Sequence, residues 1–78
     1  MVEHRSTSVA VVGLGLVGGS LARALLDRGV PVHGTDSSAA ERAEAARAGV
    51  TTANDLPTLA RATPDVVVLA VPPGAVRA

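Results

Sequence analysis

A doubly wound α/β domain on a parallel sheet is what this sequence predicts, on three observations. Aliphatic runs alternate with helix-forming stretches along the whole chain, the pattern of strand and helix units joined by right-handed crossovers. The first and last runs, Val9 to Val12 and Val66 to Val71, are apolar on successive residues rather than on alternate ones, as parallel strands covered on both faces require. Between the first run and the helix that follows it stand Gly13, Gly15 and Gly18, spaced G-x-G-x-x-G.

Met1 to Thr7 is polar and reads as a flexible lead-in. Ser8 to Gly13 forms the first strand. Leu16 to Arg28 forms the first helix, where Val17, Leu21 and Leu25 recur every four residues with Ala24 beside them, giving one apolar stripe to lay on the sheet. Gly29 then caps this helix and Pro31 prevents its continuation. Val30 to Thr35 is the second strand, closed by Asp36. Ser38 and Glu41 have the spacing of a capping box, so the second helix begins there and reaches Ala48, where Gly49 ends it. Its alanines allow close approach but bury little area each, and Glu44 with Arg47 makes an i,i+3 pair on a solvated face.

Val50 to Ala53 is a short third strand. Asn54 or Asp55 caps a brief helix from Leu56 to Ala62, with Pro57 in its first turn. Thr63, Pro64 and Asp65 turn the chain into the fourth strand, Val66 to Val71, which has no polar alternation and is expected in the interior of a sheet. The fourth strand should lie beside the first, on the side away from the second, giving the order 3-2-1-4. A switch point then falls between the C-terminal ends of strands one and four, bordered by residues 13–18 and 71–74.

Composition narrows the function. The chain has 78 residues, 47% hydrophobic, and no Phe, Tyr or Trp, so Val, Leu and Ala must fill a thin core. Disorder is excluded. Seven basic residues, all arginine, balance seven acidic ones along the chain, which leaves no basic stripe for nucleic acid. The absence of cysteine excludes disulfides and thiolate metal sites and suits a cytoplasmic protein. His4 and His33 are too few and too isolated for a metal site. The apolar run before Ala22, Arg23 and Ala24 imitates a signal peptide, but glycines interrupt it and it stops short of the ~20 residues of a membrane span.

The glycine spacing is the dinucleotide-binding fingerprint of Rossmann-type folds. Gly13 permits the sharp turn after the strand, Gly15 lets the backbone approach a ligand, and Gly18 lets the helix pack on its own strand. The helix N-terminus then faces an anionic pyrophosphate. Asp36, at the end of the second strand, has the place of the carboxylate that accepts hydrogen bonds from the adenosine ribose, so NAD is the expected cofactor, ahead of NADP. Arg42 could lean back towards a phosphate, yet its place inside the second helix points it to water. No catalytic acid or base is identifiable, and His33 lies towards the adenosine side.

GLGLVGGSLARAL, the strand ending in Asp36, and DVVVLAVPP together resemble the N-terminal nucleotide-binding region of prephenate dehydrogenases, the arogenate dehydrogenases included. The pair Gly18-Gly19 followed by Ser20 is the most family-like feature. The resemblance implies oxidative decarboxylation of prephenate or arogenate with hydride transfer to NAD, in tyrosine biosynthesis. It also implies that Gly13, Gly15 and Gly18 cradle the pyrophosphate with the backbone N–H groups of Leu16 and Val17. Asp36 would hold the ribose, and Val71, Pro72 and Pro73 would pack near the cofactor. The family's catalytic histidine, its substrate-binding arginine and its helical dimerisation domain lie beyond Ala78, so residues 8–78 read as the N-terminal part of a dinucleotide-binding domain. A small-molecule substrate and a homodimer are then expected only of a full-length enzyme. Such a piece is expected to bind nucleotide weakly, to turn nothing over, and to expose its fourth strand as an aliphatic edge.

Two other readings share these residues. Hydroxyacid and 6-phosphogluconate-type dehydrogenases have the same glycine spacing and aliphatic fourth strand, usually with a methionine in the turn where Leu16 and Val17 stand here. A nucleotide-sensing module would bind NAD without chemistry.

Overall fold

The computed structural model of the chain describes residues 7–71. Seven elements follow in order: β1 (Val9–Val12), α1 (Leu16–Asp27), β2 (Val32–Thr35), α2 (Ala39–Ala48), β3 (Thr51–Thr52), α3 (Leu56–Ala60) and β4 (Val66–Leu69). The strands form one sheet in the order β3-β2-β1-β4, and every pair is parallel. Both the fold class and the strand order are those the sequence predicts.

The register is set at the two ends of β1. At its start, the Asp65 carboxylate accepts from the Ser8 backbone N–H at 2.8 Å, while Asp65 N–H donates to the Ser8 carbonyl at 2.9 Å. That clasp aligns Val9 with Val66. At its end, Gly13 N–H donates to Thr35 O at 2.9 Å and Ala70 N–H to Val12 O at 2.8 Å. β3 holds only two residues, and the Thr35 hydroxyl extends its pairing by donating to Ala53 O at 2.7 Å.

The core lies on one face of the sheet. Val9, Val11, Leu14, Ala22, Val32, Ala45 and Val50 are buried together, with Leu25, Leu26, Val30, Val68 and Ala70 packed against them. Each fully buried aliphatic side chain contributes about 2 kcal/mol, so this aromatic-free core is small, as composition requires. Leu59 anchors α3 against β2 from a second, smaller contact.

Two packing expectations are corrected. The buried face of α1 is Gly18 and Ala22, flanked by Leu25 and Leu26, and Val17 is 72% exposed. At Gly18 the helix packs against the Gly13 carbonyl and Ala70, where no side chain fits, and that contact turns the Gly18 side inward in place of the Val17 stripe. The second concerns β4, which is not interior but the outermost strand of the described sheet, the exposed aliphatic edge also expected of it, with Val67 57% and Leu69 61% exposed. Its unbroken aliphatic run is covered on neither face to the degree that the pattern calls for.

Candidate functional site

The β1–α1 turn is closed by backbone against backbone. Gly13 has a φ of 101°, and a Cβ there would stand 2.6 Å from Ala70 O. A Cβ on Gly18 would overlap the Gly13 carbonyl oxygen. Gly15 differs from both: its φ is −72°, and an added Cβ would meet nothing within 4 Å. The first and third glycines are therefore demanded by the fold, while the middle one leaves open room on the outer side of the turn. Gly15 is the N-cap of α1, and no side chain caps that end. Its first amides have no intrahelical partner.

The β2–α2 corner is closed by side chains instead. Asp36 Oδ2 accepts from Leu14 N–H at 2.7 Å, and Oδ1 accepts from Ser38 N–H at 2.8 Å. Ser38 Oγ accepts from Glu41 N–H at 3.2 Å, so half of the expected capping box is formed and Asp36 takes the place of the other half. Arg42 does not point to water. It is half-buried, and its Nη1 donates to the Asp36 carbonyl at 2.5 Å.

A cleft of about 440 Å³ opens at the C-terminal ends of the strands, with Gly13, Thr35, Asp36, Asn54, Asp55 and Val71 in its walls. The fold thus brings Gly13, Asp36 and Val71 to one cleft. Gly15 and Leu16 border a neighbouring groove of about 450 Å³ between α1 and α2, along with Arg23 and Glu44. Leu16 and Val17 stand exposed at the head of α1. Pro72 and Pro73 lie outside the described residues, as does His4. His33 sits mid-strand, opposite Ala10 and Thr51, away from the strand ends.

Asn54, Asp55 and Leu56 are lining residues that the sequence reading missed. They follow β3, and loops after parallel strands gather at one end of the sheet, which is the signal that would have found them. Asp55 caps α3, and hydrogen bonding from Thr58, its hydroxyl first and its backbone N–H second, holds the Asp55 carboxyl below the usual aspartate value. Among the described residues, no group of His, Cys, Asp and Glu is placed to hold a metal ion, and no helix is long and apolar enough to cross a membrane.

A parallel sheet ordered 3-2-1-4, a glycine turn at its switch point and an acidic residue closing the next strand define a dinucleotide-binding domain of the Rossmann type. Residues 8–77 match the family model of the NAD binding domain of 6-phosphogluconate dehydrogenase, and the chain belongs to that family. NAD(P) is the cofactor such a domain binds. Among solved structures, the Mycobacterium tuberculosis 3-hydroxyisobutyrate dehydrogenase with L-serine is 31% identical, with a TM-score of 0.80 over 87% of this chain. An imine reductase from Pseudomonas sp. is 28% identical, with a TM-score of 0.74 over 83% of this chain. This chain covers 23% and 22% of their lengths. No curated protein sequence matches it significantly.

These matches overturn the resemblance to prephenate dehydrogenases, and with it the expectation of tyrosine biosynthesis. The family is the one held as the alternative, so this chain is a member without the methionine usual in that turn. The structure also explains why Gly18-Gly19-Ser20 misled. Gly18 serves the helix contact, a Cβ on Gly19 would come 3.2 Å from Leu14 O, and the Ser20 hydroxyl donates to Leu16 O at 2.7 Å. All three have local partners within the β1–α1 turn and α1.

Proposed function

We propose that this chain is the NAD-binding part of a dehydrogenase acting on a small hydroxy acid. The hydroxy-acid class rests on the 31% identity to a 3-hydroxyisobutyrate dehydrogenase. The binding reading rests on one observation, the room left at Gly15. Gly15 has an ordinary φ and no neighbour for a Cβ to strike, so packing does not demand glycine there and the open side is available to a ligand. In this reading the backbone N–H groups of Gly15, Leu16 and Val17 hold the pyrophosphate, within the turn that Gly13 and Gly18 shape. Asp36 accepts from the adenosine ribose, and Val71 borders the path towards the nicotinamide. Bound NAD supplies the hydride acceptor. Gly13, Asp36 and Val71 of this chain would hold it in the cleft at the ends of the strands.

Titration calorimetry with NAD tests the reading. Gly15→Ala should shift the melting temperature of the full chain by no more than about 4 °C and weaken NAD binding about tenfold or more, because the new methyl occupies ligand space. Wild-type affinity in that variant would refute the assignment of the turn.

A further inference from the structure

The geometry points to the open edge of β4 as a surface on which two copies of this chain pair, strand against strand, about a two-fold axis. β4 is the outermost strand of the described sheet, and its packing partner is β1. α1 meets the chain just past the end of β4, where Gly18 faces Ala70, and α3 lies against β2, on the far side of β1. Val66 to Leu69 reads VVVL, with no charge and no proline to blunt the edge. Such a strand opposes its own copy without like-charge repulsion.

The backbone fixes how the two copies would meet. Val66 N–H donates to Ser8 O at 3.2 Å and Ala70 N–H to Val12 O at 2.8 Å. Alternate residues of a parallel strand bond to one neighbour, so Val68 also faces β1, and Val67 and Leu69 turn their backbone polar groups to the open edge. Side chains alternate as well. Val68 packs against the core, which puts Val67 and Leu69 together on the other face, 57% and 61% exposed. An antiparallel pairing centred on Val68 sets Val67 of each copy opposite Leu69 of the other. Both pairs then exchange N–H···O bonds, and their side chains meet on one face. The other registers are poorer. Centring on Val67 sets Leu69 opposite Asp65, whose N–H is already given to Ser8 O, and centring on Leu69 sets Val67 opposite Val71, beyond the strand. A two-fold contact of this kind uses the same patch on both copies and closes at a dimer; the opposite edge of the sheet is β3, which holds two threonines.

Sedimentation equilibrium of the full 78-residue chain, with amide hydrogen exchange at both ends of the concentration range, tests the pairing. So short an edge buries far less than the ~1,200 Å² of a stable interface. The chain should therefore be mainly monomer at about 10 µM and mainly dimer near about 1 mM. The amides of Val67 and Leu69 should exchange about tenfold more slowly in the concentrated sample, while those of Val66 and Val68, bonded to β1, should be slow in both. Val67→Lys with Leu69→Lys should abolish the dimer, since lysine then opposes lysine in both pairs. A chain that stays monomeric to about 1 mM, a dimer whose Val67 and Leu69 amides stay fast, assembly that runs past dimers, or a folded lysine variant that dimerises like wild type overturns the proposal. So does slow exchange of those two amides in the dilute monomer, which would mean that another part of the chain covers the edge. If the lysine variant does not fold, the exchange measurement on wild type decides alone.

Discussion

The two turns at the C-terminal end of the sheet are built by opposite means. At β1–α1 the backbone closes on itself and excludes side chains, with Gly18 against the Gly13 carbonyl and Gly13 against Ala70 O. At β2–α2 side chains do the closing, with Asp36 on two amides, Ser38 on a third, and Arg42 on a carbonyl. One hydrogen bond, Leu14 N–H to Asp36 Oδ2, joins the two. A turn made by exclusion should tolerate no added atom at its contact points. A turn made by hydrogen bonds should lose stability in steps as donors and acceptors are removed.

Gly18→Ala is the most direct way to break that contrast. Its methyl would fall on the Gly13 oxygen, and overpacking of this kind costs up to about 3 kcal/mol. Thermal unfolding followed by circular dichroism should show a much lower transition or none. A wild-type melting temperature would mean that the turn yields and is not closed by exclusion. Gly15→Ala sharpens the point from the other direction, since the same methyl three residues earlier should cost stability within about 0.5 kcal/mol and act on the ligand alone.

At the second turn, Ser38→Ala should remove about 1 kcal/mol by freeing Glu41 N–H. Urea unfolding measures it. No change would mean that the Asp36 bond to Ser38 N–H suffices to start α2.

The smallest effect is on pH. Arg47, and after it Arg23, holds the Glu44 carboxyl below its ordinary 4.5, and Thr58 holds Asp55 below 3.8. A carboxyl whose folded pKa is lowered stabilises the fold above its ordinary pKa, and that stabilisation is lost as pH falls through the folded value. Both groups are exposed, so the acid-side loss should be slight. Glu44→Gln with Asp55→Asn should flatten it, and an unaltered acid limb in urea unfolding would break the link.

Much of this was legible in the residues. Unalternating aliphatic runs marked β1 and β4, Ser38 and Gly49 bounded α2, and the glycine spacing marked the turn, because each depends on conformations a few neighbouring residues prefer. Glu44 and Arg47 pair on the α2 surface at 3.0 Å as their spacing implies. Less legible was Arg42, since a helix period says which face a residue takes but not how far a long side chain folds back. Family membership was misread at Gly18-Gly19-Ser20, where packing demands looked like a signature.

By itself, then, the sequence determined the elements, their parallel order and the glycine turn, all properties of local backbone preference and hydrophobic patterning. Tertiary structure alone decided which side of α1 is buried, because the contact of Gly18 with the Gly13 carbonyl and Ala70 outweighs the stripe through Val17. It also decided that the Asp36 carboxylate ties two turns together, since Leu14 and Asp36 are 22 residues apart and meet only when β1 and β2 pair side by side.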